Sequence, residues 1–97
     1  MVIISKTILK EFIRQNPLSE DAILRWYSIC KEYNWENLGA LKRQLPKTDY
    51  VGNDLYVFDI HGNKFRIIAR IFFKTRTIYI RFVGPHSAYD RVKLSDL

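Results

Sequence analysis

Apolar positions in the first 45 residues recur every three or four places, and from residue 50 onward they alternate. The pattern predicts helices followed by strands. Met1 to Ile4 fits a short β-strand. Ser5 is a candidate N-cap for a helix in which Ile8, Leu9, Phe12 and Ile13 form the apolar stripe and Lys6, Lys10 and Arg14 line another side. Asn16-Pro17 interrupts it. Ser19-Glu20-Asp21 then starts a second helix, with acids near its N-terminus and Ile23, Trp26, Tyr27, Cys30 and Tyr33 as its buried stripe. Leu38, Leu41 and Leu45 predict a short third helix over Asn37 to Leu45, stopped by Pro46.

Asp49-Tyr50-Val51 opens the strand half and Gly52-Asn53-Asp54 turns it. Leu55 to Ile60, Lys64 to Phe73 and Thr77 to Val83 follow as three strands. In the middle one, Phe65, Ile67, Ala69, Ile71 and Phe73 share one face, and Lys64, Arg66, Arg70 and Lys74 share the other, with Ile68 and Phe72 between them. In the last, Ile78, Ile80 and Phe82 are expected to face the core, with Tyr79 and Arg81 facing away. A two-residue Gly62-Asn63 loop would set Asp59 opposite Arg66. A two-residue Thr75-Arg76 loop would set Arg70 directly opposite Arg81. Like charges so placed repel, which asks for an anion between them. The expectation is one α+β domain over residues 1–97, without repeat, linker or low-complexity stretch.

Charge sharpens this picture. Residues 1–54 hold eight Lys or Arg and seven Asp or Glu, whereas residues 55–97 hold eight basic side chains against Asp59, Asp90 and Asp96. A positive strand half favours a polyanionic partner, most often nucleic acid, although solubility alone accounts for much surface charge. No apolar run approaches the ~20 residues of a membrane span. Ser5-Lys6 follows the opening Met-Val-Ile-Ile at once, so no signal peptide is expected and the chain reads as cytoplasmic. Cys30 is the single cysteine and His61 and His86 the only histidines, which makes a metal site improbable and leads us to expect no cofactor.

No glycine-rich nucleotide loop, paired-carboxylate site or Ser/His/Asp order is evident. What remains is the set of strand arginines together with Gly84-Pro85-His86-Ser87-Ala88-Tyr89-Asp90. RNA cleavage without a metal needs a base for the 2′-OH proton, cations for the charge building on phosphate, and an acid for the departing 5′-oxygen. The imidazole of His86 is a side chain able to give or take a proton, Arg66, Arg70 and Arg81 can bind phosphate, and Tyr89 can stack on a base or assist proton transfer. Bland alternatives exist for each: a turn role for His86, a pair with Asp59 for Arg66, and a packing role for Tyr89. His61 at a hairpin tip, and Trp26 and Trp35 in the helical part, need no functional reason.

Asp59-Ile60-His61-Gly62-Asn63-Lys64-Phe65-Arg66-Ile67-Ile68-Ala69-Arg70-Ile71 and Tyr79-Ile80-Arg81-Phe82-Val83-Gly84-Pro85-His86-Ser87-Ala88-Tyr89-Asp90 resemble the HigB toxin family, a branch of the RelE-like bacterial mRNA interferases. Ile4-Ser5-Lys6, the Tyr27 to Trp35 stretch and Asp49-Tyr50-Val51-Gly52 extend the likeness over nearly the whole chain. The resemblance implies N-terminal helices on a twisted antiparallel sheet and a toxin that cleaves mRNA on the translating ribosome. It also implies a HigA-like helix-turn-helix antitoxin, with operator DNA bound only through that antitoxin and no membrane partner. By the same resemblance Arg66 matches the strand arginine used on the scissile phosphate. His86 stands where other members place a basic residue, and Tyr89 corresponds to their C-terminal tyrosine at a shorter interval. Arg66, His86 and Tyr89 are therefore the catalytic candidates, with Lys64, Arg70 and Arg81 as RNA contacts. The rival readings are a non-catalytic RNA- or ribosome-binding module and an interaction subunit for an acidic partner segment.

Overall fold

The computed structural model describes residues 1–62 and 64–97; the Asn63 half of the expected Gly62-Asn63 turn lies outside the described residues. Elements run in the order β1 (Val2–Ile4), α1 (Lys6–Gln15), a 3₁₀ turn (Pro17–Ser19), α2 (Glu20–Glu32), α3 (Leu38–Gln44), β2 (Thr48–Tyr50), β3 (Leu55–Ile60), β4 (Phe65–Phe72), β5 (Thr77–Pro85), α4 (His86–Tyr89) and a final 3₁₀ turn (Leu94–Asp96). The strands form one sheet in the order β1-β5-β4-β3-β2. β1 runs parallel to β5, and the other pairs are antiparallel, so the sheet is mixed rather than wholly antiparallel.

Helix boundaries follow the local chemistry. Asn37 caps α3, its Oδ1 accepting the Ala40 N–H at 2.9 Å. Ser5 and Ser19 precede α1 and α2 as expected, but neither side chain makes a capping bond. Ser5 is left-handed at φ 75°, and Ser19 Oγ instead donates backward to the Asn16 carbonyl at 2.7 Å. Leu9, Ile23, Trp26, Cys30 and Leu41 from the helices close over Phe58, Ile60, Ile67, Ala69, Ile71, Ile78 and Ile80 of the sheet, all buried. The Trp26 ring meets Phe58 edge-on at 5.1 Å, joining α2 to β3.

The β4–β5 register departs from expectation. Phe72 pairs with Thr77, so the connection is the four-residue stretch Phe73 to Arg76 rather than a two-residue Thr75-Arg76 loop. Arg76 closes it in the left-handed region at φ 52°, donating its N–H to the Phe73 carbonyl at 3.1 Å. Arg70 consequently faces Tyr79, not Arg81. Beyond Ala69↔Ile80 the ladder skips to Ile68↔Phe82, leaving Arg81 as the extra residue of a β-bulge. That insertion reverses the alternation downstream. Val83 turns to the helices, and Phe82, expected in the main core, turns to the opposite face beside Ile68.

This opposite face is not simply a basic surface. Leu55, Val57 and Ile68 are buried there beneath Val51, Phe82, Tyr89, Val92, Leu94 and Leu97. Residues 89–97 therefore act as a strap, covering the centre of the sheet opposite the helices. Burying each of the three central aliphatics contributes about 1.5–3 kcal/mol, which is enough to hold a short segment with little regular structure. The basic side chains are left at the margins of the strap.

Candidate active site

Arg66 sits on β4 between Asp59 of β3 and Gly84 of β5, the register that places Asp59 opposite it being the one expected. Its Nη1 forms a salt bridge with Asp59, the two side chains only 13 % and 21 % exposed. Such a pair is shielded from water, so each charge depends on the other. The Arg66 Nε is buried without a hydrogen-bond partner. Above the guanidinium lies the Tyr89 ring, its centroid 5.2 Å from Cζ, a cation–π distance. Tyr89 thus takes the packing role the sequence allowed it, holding the strap on the sheet, and lies against the candidate phosphate ligand.

β5 ends at Gly84-Pro85, and the chain turns at once into α4. The His86 N–H donates to the Lys64 carbonyl at 3.2 Å, pinning α4 to the start of β4. Lys64 itself lies just before β4, exposed, so it flanks the site from the turn rather than from within the strand. The helical turn puts His86 and Tyr89 on one side, their rings edge-to-face with centroids 6.3 Å apart. Asp90 Oδ2 lies 3.2 Å from His86 Nδ1. Sequence reasoning passed over this aspartate, though the four-residue interval from His86 was the signal once a helical turn was expected.

Arg70 and Arg81 belong elsewhere. Arg70 donates to the Asn53 carbonyl and, at 2.9 Å, to the Leu97 carbonyl; Arg81 reaches the same Leu97 oxygen at 3.3 Å. The two arginines are thus not directly opposite on the ladder, yet they still meet across a shared backbone acceptor. Arg66 and Arg70, four residues apart on one strand face, stand about 13 Å apart along β4 at ~3.3 Å per residue. The six candidates therefore divide into an Arg66–Tyr89–His86 cluster with Lys64 beside it, and an Arg70–Arg81 pair anchoring the strap.

His61, at φ 55°, is exposed at the β3–β4 turn with its ring 6.1 Å from that of Phe65. Behind it, on the helix side of the sheet, an open groove of about 840 Å³ runs between Ala22, Trp26 and Ile29 of α2 and the end of β3. Asp59 contributes to its wall, so the groove and the Arg66 cluster share that residue. Among the described residues no three His, Cys, Asp or Glu side chains gather as metal ligands, and no helix is long and apolar enough to cross a membrane.

Residues 19–92 match the family model of the HigB toxin, described as the RelE-like toxic component of a toxin-antitoxin system. The chain belongs to the HigB toxin family. That match takes in α2 through α4, hence all six candidate residues and the bulge. The protein is also 30 % identical over 94 residues to the mRNA interferase HigB of Escherichia coli O6:H1, covering 95 % of this chain and 91 % of that one. It is 28 % identical over 93 residues to the mRNA interferase toxin HigB of Escherichia coli K12, covering 93 % and 88 % respectively. The helices on a five-stranded sheet agree with the α+β, RelE-like fold of this HigB family.

Proposed function

We propose that this chain is the toxin of a type II toxin–antitoxin pair and an endoribonuclease that cleaves mRNA in the cytoplasm. The observation that carries the reading is the convergence of Arg66, Tyr89 and His86 at the end of β5 in a member of the HigB family. In the proposed reaction the 2′-oxygen bonds to phosphorus, the P–O5′ bond breaks, one proton leaves the 2′-OH and one arrives on the 5′-oxygen. The products are a 2′,3′-cyclic phosphate and a 5′-OH. Arg66 stabilises the charge that grows on the phosphoryl oxygens, and its unpartnered Nε is the donor with an acceptor to gain. His86 and Tyr89 share the two proton transfers, so no metal is required. Because Tyr89 covers the guanidinium, RNA binding exchanges that ring for phosphate.

The substrate is mRNA on the translating ribosome, with Lys64, Arg70 and Arg81 binding the RNA backbone. The partner is a HigA-like helix-turn-helix antitoxin, through which alone operator DNA is engaged. The test is single-turnover cleavage of an mRNA on programmed ribosomes at saturating protein, with 5′ ends mapped. Wild type should leave 5′-OH ends. His86→Gln, which keeps polarity but cannot titrate, should cut at least ~10²-fold more slowly while still binding RNA.

Arg66→Ala should lose roughly 10²–10³ in rate. It also strands Asp59, so Arg66→Ala combined with Asp59→Asn is the fairer form of that experiment. Intact transcripts alongside arrested translation would replace the enzyme reading by the RNA- or ribosome-binding one. A wild-type rate in His86→Gln would remove that residue from the reaction.

A further inference from the structure

We infer that Asp90 is the positioning residue for His86, its carboxylate engaging Nδ1 so that Nε2 is the nitrogen presented to RNA. The inference rests on the proposed role of His86 in proton transfer and assigns the orientation of that group. The geometry is built from three fixed points. The His86 N–H is held by the Lys64 carbonyl at 3.2 Å, the Asp90 N–H closes the turn onto the His86 carbonyl at 3.1 Å, and Asp90 Oδ2 stands 3.2 Å from Nδ1. The Tyr89 ring, edge-to-face at 6.3 Å and 68°, borders the imidazole on the side toward Arg66. One ring nitrogen thus lies within ion-pair distance of the carboxylate.

Stability does not account for this pair. Its side chains are 44 % and 60 % exposed, and an open ion pair of that kind adds little to a fold. Exposure is instead what a group meeting a large substrate requires. With Asp90 accepting from Nδ1–H, the neutral imidazole carries its lone pair on Nε2 and can take the 2′-OH proton. The imidazolium so formed keeps its anionic neighbour within 3.2 Å. Without the carboxylate both tautomers populate and the ring turns about its χ angles, so only a fraction of encounters are productive. The Lys64 backbone meets His86 from the start of β4 and the Tyr89 ring meets it from its own turn, while Asp59 is committed to Arg66.

The test compares Asp90→Asn, Asp90→Glu and His86→Gln in the ribosome cleavage assay, with ¹⁵N spectra of the histidine rings in the purified wild-type chain. Asp90→Asn should cut about 10–10²-fold more slowly at unchanged half-saturation. Asp90→Glu should recover part of the rate. In the wild type, His86 at high pH should carry its proton on Nδ1. If His86→Gln is slow while Asp90→Asn cuts at the wild-type rate, the positioning role is overturned and the reading of His86 stands. A slow Asp90→Asn whose rate Asp90→Glu does not improve overturns it too, since that pattern marks structural damage. An Nε2–H tautomer in the wild type overturns it whatever the variants do. If His86→Gln cuts normally, the reading of His86 fails, and the inference with it.

Discussion

Gly84 is the cross-strand neighbour of Arg66, and its lack of a side chain leaves room for the ring of Phe82. A Cβ at this position would lie 2.7 Å from Phe82 Cζ and 3.3 Å from Cε1. Carbon atoms in comfortable contact are about 3.5–4.0 Å apart, so the ring has to retreat by roughly 1 Å. It cannot do so freely, because Phe82 packs against the buried Leu55, Val57 and Ile68 under the strap. Forcing an extra methyl group into such a place costs about 1–3 kcal/mol, offset by ~0.4–1 kcal/mol from the stiffer unfolded chain when glycine becomes alanine. Gly84→Ala should therefore lose about 1–2 kcal/mol in urea unfolding. At ~4–8 °C per kcal/mol for a domain of this size, its Tm should fall by roughly 4–16 °C. Phe82→Leu in the same chain should relieve the crowding, so the double variant should be more stable than the two single losses predict, by at least about 0.5 kcal/mol. Wild-type stability in Gly84→Ala, or strict additivity with Phe82→Leu, would refute the reasoning that the Phe82 ring occupies the space a side chain at position 84 would need.

Burial raises the Cys30 thiol well above its ordinary value of 9.0, with the nearby N-terminal amino group opposing the shift. Below pH ~9 the thiol is protonated whether folded or not; above it the unfolded chain loses the proton first. Stability should thus fall with rising pH, by up to about 1.4 kcal/mol per pH unit. Cys30→Ala should remove that component between pH 9 and 10, before Tyr56, also raised by burial, begins to contribute, and an unchanged slope in urea titrations would contradict the assignment. Replacing both Arg70 and Arg81 by Ala should free the Leu97 end of the strap, seen as faster hydrogen exchange over residues 92–97. It should also weaken RNA binding less than Arg66 and His86 substitutions weaken cleavage. Unchanged exchange would mean that the apolar contacts of the strap suffice without the arginines.

The order of helices and strands was legible because it rests on short-range pattern: the Ile23, Trp26 and Cys30 stripe and the Ile67, Ala69 and Ile71 alternation appear in the sequence and are buried as that pattern requires. The Asp59–Arg66 register was legible for the same reason. What the sequence concealed was a single extra residue. Arg81 in strict alternation looks no different from Arg81 in a bulge, because both readings leave the arginine facing away from the helices. Only Phe82 and Val83 exchange faces, and both are apolar enough to be buried on either side. The strap was hidden differently. Val92, Leu94 and Leu97 are too few and too irregularly spaced to announce a buried segment, and only the apolar patch of Leu55, Val57 and Ile68 gives them something to cover.

That strap changes what the positive charge of the strand half can mean. A sheet face uniformly lined with arginines would be a track for RNA in which no residue is singled out. Covered at its centre by apolar side chains, the same face offers separate basic groups with different neighbours. Arg70 and Arg81 are satisfied by the Leu97 carbonyl. Arg66 is paired on one side, orphaned at Nε and lidded by an aromatic ring that belongs to the same turn as the histidine. A cation held this tightly is poorly suited to loose tracking and well suited to meeting one phosphate in one orientation, since the ordering entropy of its side chain has already been spent in folding. Arg66 is therefore the arginine whose surroundings fit charge stabilisation in a reaction, and the other two are the ones whose surroundings fit holding the chain, or the RNA beside it, in place.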